Sequence, residues 1–128
     1  GLVAEVPGGD WTALDRRERA YDRQPVTVHL SDCGTPTEAR VYAVPPRHAA
    51  PPDTAHPVLL SYIDTVVQGF LTVFGRDGAR AFFDTTAGWG GPIDDDRAAP
   101  RYPRATELRP AERAIVDAEL SRVLERAG

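Results

Sequence analysis

From Val58 to Phe74, apolar residues recur at steps of three and four: Leu59, Ile63, Val66, Val67, Phe70, Leu71 and Phe74. A stripe that wide on one side of a helix must be buried, so the chain has to build a core around this segment. Gly75 suits its C-terminal end, and a second short helix over about 76–84 turns Ala79, Phe82 and Phe83 inward. Another amphipathic stretch lies at the C-terminus. Pro110 takes a first-turn position there, Glu112 sits near the helix start, and Ile115, Val116, Leu120, Val123 and Leu124 share one face. This pattern predicts a C-terminal helix over 109–127.

The first third of the chain changes period. Leu2, Ala4 and Val6 alternate with Val3 and Glu5 before the breaker Pro7-Gly8-Gly9, which predicts a short strand over 1–6. Asp10 stands as an N-cap ahead of a brief helix over about 11–18, whose apolar side is narrow: Trp11, Leu14 and the stems of Arg16 or Arg17. Val26, Val28 and Leu30 alternate with Thr27 and His29, and Ala39, Val41 and Ala43 with Arg40 and Tyr42. With the turn-rich Ser31–Pro36 segment between them, the two runs predict an antiparallel hairpin. Five prolines between Pro45 and Pro57 exclude helix and central strand over 45–57, which reads as a surface connection. Residues 87–104, with glycines at 88, 90 and 91 and prolines at 92, 100 and 103, read as an irregular loop. The expected class is α+β: one domain over 1–128 with a small antiparallel sheet and helices packed on it.

Composition narrows the function classes. The 128 residues carry a net charge of −4, which argues against nucleic acid or an anionic membrane as the main partner. No apolar run nears the roughly 20 residues of a membrane span, and no signal peptide is recognisable, so a cytoplasmic location is expected. The single cysteine, Cys33, excludes an internal disulfide and a thiolate metal site, and reads as an inert thiol in the hairpin loop. Among the 15 basic residues there is no lysine, and methionine is absent, which fits a GC-rich coding sequence and a chain whose start has been removed.

Chemistry-bearing groups are few. His29, His48 and His56 lack ligand spacing, so no metal is expected. Asp94-Asp95-Asp96 lacks the alternation of a calcium loop and reads as a solvated acidic turn pairing with Arg97 or Arg101. Ser61 has no flanking glycines at elbow spacing and reads as a helix-packing hydroxyl. No glycine-rich phosphate loop with a basic residue occurs. There remains Glu18, which by periodicity alone is a surface glutamate at a helix end among four arginines, a solvated ion-pair partner.

A resemblance changes that weighting. Leu14-Asp15-Arg16-Arg17-Glu18, followed by Tyr21 and Arg23, resembles the signature of the γ-glutamylcyclotransferase-like family, in which a leucine-aspartate-x-x-glutamate turn precedes a tyrosine and a strand. Gly1–Val6 is similar to the strand before it, and Leu60–Phe70 to the family's downstream helix. Thr86-Ala87-Gly88-Trp89, Asp95-Asp96-Arg97 and Tyr102-Pro103-Arg104-Ala105 resemble the tail of one bacterial branch. The likeness touches nearly the whole chain, and the order of the motifs carries it. It implies a compact barrel of mixed strands flanked by helices. It also implies release of 5-oxoproline from γ-glutamyl amino acids or amines, with Glu18 as general acid/base and no cofactor. Tyr21 is implied as a residue that bonds substrate or Glu18, against a role as sheet-edge anchor. Tyr62 is a weaker candidate for the same pocket, with core packing as its alternative, and Arg23 is a structural ion-pair partner. A carboxylate working as a base wants a pKa above the usual ~4.3 through desolvation. The neighbouring arginines are therefore expected to point outward while Glu18 faces a pocket.

Two departures from the family pattern stand out. Its initial strand with a tyrosine-glycine-serine loop, whose amides hold the glutamyl carboxylate, is absent; the serines are Ser31, Ser61 and Ser121. The chain is expected to begin after that loop, leaving a sheet edge open to self-association into a homo-oligomer. Arg19 also replaces a glycine common after the glutamate. The rival expectation, from another functional class, is a non-catalytic remnant or binding module on the same scaffold.

Overall fold

The computed structural model describes residues 1–31 and 34–127. The reading of Cys33 as an inert loop thiol lies outside the described residues. The chain divides into two compact units, Gly1–Ala50 and Pro51–Gly128.

In the first unit a turn at Pro7–Gly9 leads into helix α1, Trp11–Arg17. Asp10 caps it as expected, its Oδ1 accepting from Ala13 N at 3.0 Å. Strands β1, Asp22–His29, and β2, Pro36–Ala43, then form an antiparallel hairpin, with Val26 opposite Ala39 and Val28 opposite Thr37. The alternation of β1 survives: Val26 and Val28 are half-buried between exposed neighbours. On β2, Ala39 and Ala43 are half-buried, but Val41, expected to face inward, is exposed.

Two expectations fail in this unit. Gly1–Val6 is not a strand. Alternation shows only that a segment would suit a sheet; strand structure needs a ladder partner, and no residue of 1–6 pairs with β1 or β2. The expected closed or barrel-like sheet is absent too. The described strands form two separate two-stranded sheets, too few to close on themselves.

The second unit holds the core. Strand β3, Val58–Leu59, pairs in parallel with β4, Ile93–Asp94, so Val58 begins as strand rather than helix, and the expected irregular loop contains a short strand. Helix α2, Leu60–Thr85, is broken at Gly75 (φ 66°, ψ −163°), the expected stop of the first amphipathic run. The break is sharp enough to bring the ring of Phe82 to 5.1 Å from that of Phe70. In an unbroken helix twelve residues would separate them by about 18 Å. Helix α3, Pro110–Ala127, packs against α2. Leu60, Ile63, Val67, Ala79, Phe83, Val116, Leu120 and Val123 form the buried cluster, with Phe70, Phe82 and Trp89 packed against it. Full burial of a side chain such as Phe83 contributes about 1.5–3 kcal/mol. The α+β class therefore holds.

The acidic turn is not solvated throughout. Asp94 pairs with Arg101, as expected, but Asp96 is buried and caps the start of α2 from a distance. Its carboxylate accepts from Ser61 N at 2.8 Å, Ser61 Oγ at 2.7 Å and Arg101 N at 2.8 Å. Helix starts leave backbone donors unsatisfied, and no side chain at the α2 start satisfies them locally, so a carboxylate from another segment takes that role. Beside it, Arg97 grips Asp64 through two 2.7 Å bonds and Asp117 through one at 2.6 Å, tying the segment after β4 to both long helices.

Candidate functional site

Glu18 follows the last residue of α1, in a turn that its position dictates. Its backbone N–H closes the helix on Leu14 O at 2.8 Å, and its carbonyl accepts from Tyr21 N at 2.8 Å. The turn thus hands the chain from helix to β1 and fixes Glu18 and Tyr21 together. The Glu18 side chain is withdrawn from water, 27% exposed. It is not free, however. Arg17 Nε donates to Glu18 Oε1 at 2.8 Å, so the expectation that all the neighbouring arginines turn away fails at Arg17. The cause is local: adjacent side chains of opposite charge at a helix end reach one another without help from the fold.

Two concave surfaces flank this turn. The larger, about 1210 Å³, is walled by Leu2–Val6, Trp11, Leu14 and Arg17 and floored by the apolar face of the hairpin, including Val26, Val28, Ala39 and Val41. Its charged groups are Glu5, Arg17, Arg23, Glu38 and Arg40. Arg23 lies over the Trp11 ring, 4.6 Å from its centre, and pairs with Asp15 at 3.4 Å, the structural role expected of it. The smaller, about 430 Å³, is lined by Asp15, Arg19, Tyr21, Asp22, Arg23 and Tyr42. There Tyr42 Oη donates to Asp15 Oδ1 at 2.6 Å; desolvation first, and then the Asp15 carboxylate, raise the Tyr42 pKa above its ordinary value. The expectation that Glu18 faces a pocket also fails: it lines neither surface, while its neighbours Leu14, Asp15, Arg17 and Arg19 do, because its side chain is turned to Arg17.

The predicted site residues fall in different units. Tyr21 is 44% exposed and opens onto the smaller concavity beside Glu18. Tyr62 belongs to the second unit, on α2, where it meets Tyr102 edge-on at 5.1 Å between ring centres. It is 46% exposed, so the core-packing alternative does not describe it. Ser61 spends its hydroxyl on Asp96 and supports the start of α2 rather than a nucleophile. Sequence reasoning missed Asp15 as the partner of both Tyr42 and Arg23; its place within the signature turn was the signal at hand.

Among the described residues, no three His, Cys, Asp or Glu side chains converge where a metal ion could sit. Nor, among these residues, is any helix long and apolar enough to cross a membrane. No protein-family model, curated protein or solved structure matches the chain.

Proposed function

We propose that the chain carries γ-glutamylcyclotransferase-like chemistry, with Glu18 as the group that moves protons and the concave surfaces beside it as the substrate's seat. The observation that supports this is the placement of Glu18. Its side chain is 27% exposed, in a turn whose flanking residues line both concavities.

The chemistry suits a lone carboxylate. Glu18 takes a proton from the substrate's α-ammonium; the freed amine attacks its own γ-carbonyl and closes a five-membered lactam. The bond from that carbonyl carbon to the departing amine breaks as Glu18 returns the proton to the leaving nitrogen, and the ring nitrogen's second proton follows by the same carboxylate, so the amine leaves as an ammonium ion. Because the attack is intramolecular, the protein's main task is to hold a folded substrate conformer. Arg17 has to release Glu18 for this, and it then stands free to meet the substrate's carboxylate. Tyr21, on the same turn, is placed to orient either substrate or Glu18.

The test is incubation with γ-glutamyl dipeptides and detection of 5-oxoproline. The wild-type chain releases it, and Glu18→Gln lowers turnover by about 10²–10⁴-fold. Equal turnover in that variant removes Glu18 from the reaction. One observation favours a second reading, a binding module without chemistry: Arg17 already neutralises Glu18. On that reading the wild-type chain yields no 5-oxoproline with any γ-glutamyl amide, while γ-glutamyl ligands still bind.

A further inference from the structure

The β1–β2 hairpin is a two-stranded sheet, and its two outer edges differ. β1 carries Pro25 at its middle, a residue that sheets place with its ring toward the free side, which interrupts that edge. From Thr37 to Ala43, β2 has neither proline nor glycine. Among the described residues, no backbone hydrogen bond reaches β2 from anything but β1. Exposed edges of this length are templates for another strand, and proteins usually blunt them with a bulge, a proline or a covering element. Past Pro36 at its start, β2 has no proline, and its register with β1 runs without a bulge.

We propose that the edge is occupied by the β2 strand of a second copy of this chain, paired antiparallel about a two-fold axis at Ala39. The sequence of β2 is complementary to itself under that operation and under few others. With Ala39 opposite Ala39, Glu38 of each copy faces Arg40 of the other, and Thr37 faces Val41. The two ionic pairs fall on one face of the new sheet and the apolar pairs on the other, because side chains alternate along a strand. Within one chain, Glu38 and Arg40 already lie on the same face, 3.7 Å apart, with Glu38 largely and Arg40 partly exposed, so re-pairing across the axis needs only a change of rotamer. Glu38 also accepts from Thr27 on β1 at 3.2 Å, which holds it at that position. Pairing turns an isolated hairpin, marginal alone, into a four-stranded sheet with one continuous apolar face. An isologous contact of this kind closes on itself and makes dimers rather than fibres.

The experiment is sedimentation velocity on the full chain over a wide concentration range. Wild type shifts from one-chain to two-chain mass as concentration rises. Glu38→Arg sets arginine against arginine twice in a homodimer, and Arg40→Glu sets glutamate against glutamate. Each weakens dimerisation by about tenfold or more. Mixing these two variants restores a two-chain species, and so does the double exchange within one chain. Restoration also shows that the variants are folded. Three outcomes overturn the proposal: a wild type that stays monomeric throughout, a single variant as dimeric as wild type, or a loss that neither the mixture nor the double exchange repairs.

Discussion

The two units spend similar apolar material in opposite ways. In the second, Val67, Ala79 and Val116 are fully buried and Phe83 nearly so, and charged groups are drawn in after them: Asp64, Asp96 and Glu112 are all buried and all hydrogen-bonded. In the first, only Pro45 is buried among the described residues; on the hairpin Val26 and Val28 stop at half-burial and Val41 is exposed. Two helices folded over one another enclose a volume; a lone hairpin has one apolar face and nothing intrinsic to close it. An apolar face left ajar leaves room for a ligand, and the unit with the weaker interior carries the wide concavity and the candidate site.

The contrast can be broken most directly through the interior. Phe83→Ala should cost about 3–5 kcal/mol in denaturant titration, whereas Val28→Ala on the hairpin should cost about 1 kcal/mol or less. Equal losses would mean that the hairpin face is covered after all. Each unit contains one tryptophan, Trp11 in the first and Trp89 in the second, so fluorescence of variants that retain only one of them assigns each loss to its unit. Next in size is the capping carboxylate. Asp96→Ala leaves the Ser61 amide and hydroxyl without their acceptor and should cost about 1–3 kcal/mol, seen by Trp89.

The smallest effect sharpens the comparison through pH. Burial pushes the Asp96 carboxyl up, but the Ser61 hydroxyl and the amides of Arg101 and Ser61 outweigh it and hold the pKa at about 2. Glu112 is likewise held at about 2, by the Arg109 guanidinium first, then the Arg109 amide and Gln68. Both folded values lie below the unfolded ones, near 4. Their stabilisation is therefore complete above that range and is lost as pH falls from about 4 toward about 2. The Trp89 transition should weaken across that window, and Asp96→Asn should flatten the dependence; a pH response unchanged by that substitution would assign it elsewhere.

Local rules explain what could be read in advance. The α2 stripe, its interruption at Gly75, the α3 face, the Asp10 cap and the hairpin all rest on residues within a few positions of one another. Glu112 was visible at the start of α3, and the structure adds its partner: its Oε2 accepts from Arg109 N at 2.9 Å, so it caps the first turn. What stayed hidden depends on distant partners. Asp96 looked like a solvated aspartate because its hydrogen-bond donor, Ser61, lies 35 positions away. The apolar pattern of Gly1–Val6 gave no indication that a ladder partner would be missing. At the candidate site, the Glu18 turn and Tyr21 were legible as a motif. The grip of Arg17 on Glu18 was not, because periodicity does not say which way a flexible guanidinium will swing.

One glycine decides the outline of the second unit. Gly75 holds a backbone conformation open essentially to glycine alone. Any other residue there would favour straightening, and α2 with its 26 residues would become a rod about 39 Å long. The aromatic rings that now meet across the bend would be carried apart, each stranded in water. The missing side chain at this hinge is thus what lets one long helical sequence behave as two and close an interior from a single stretch of chain.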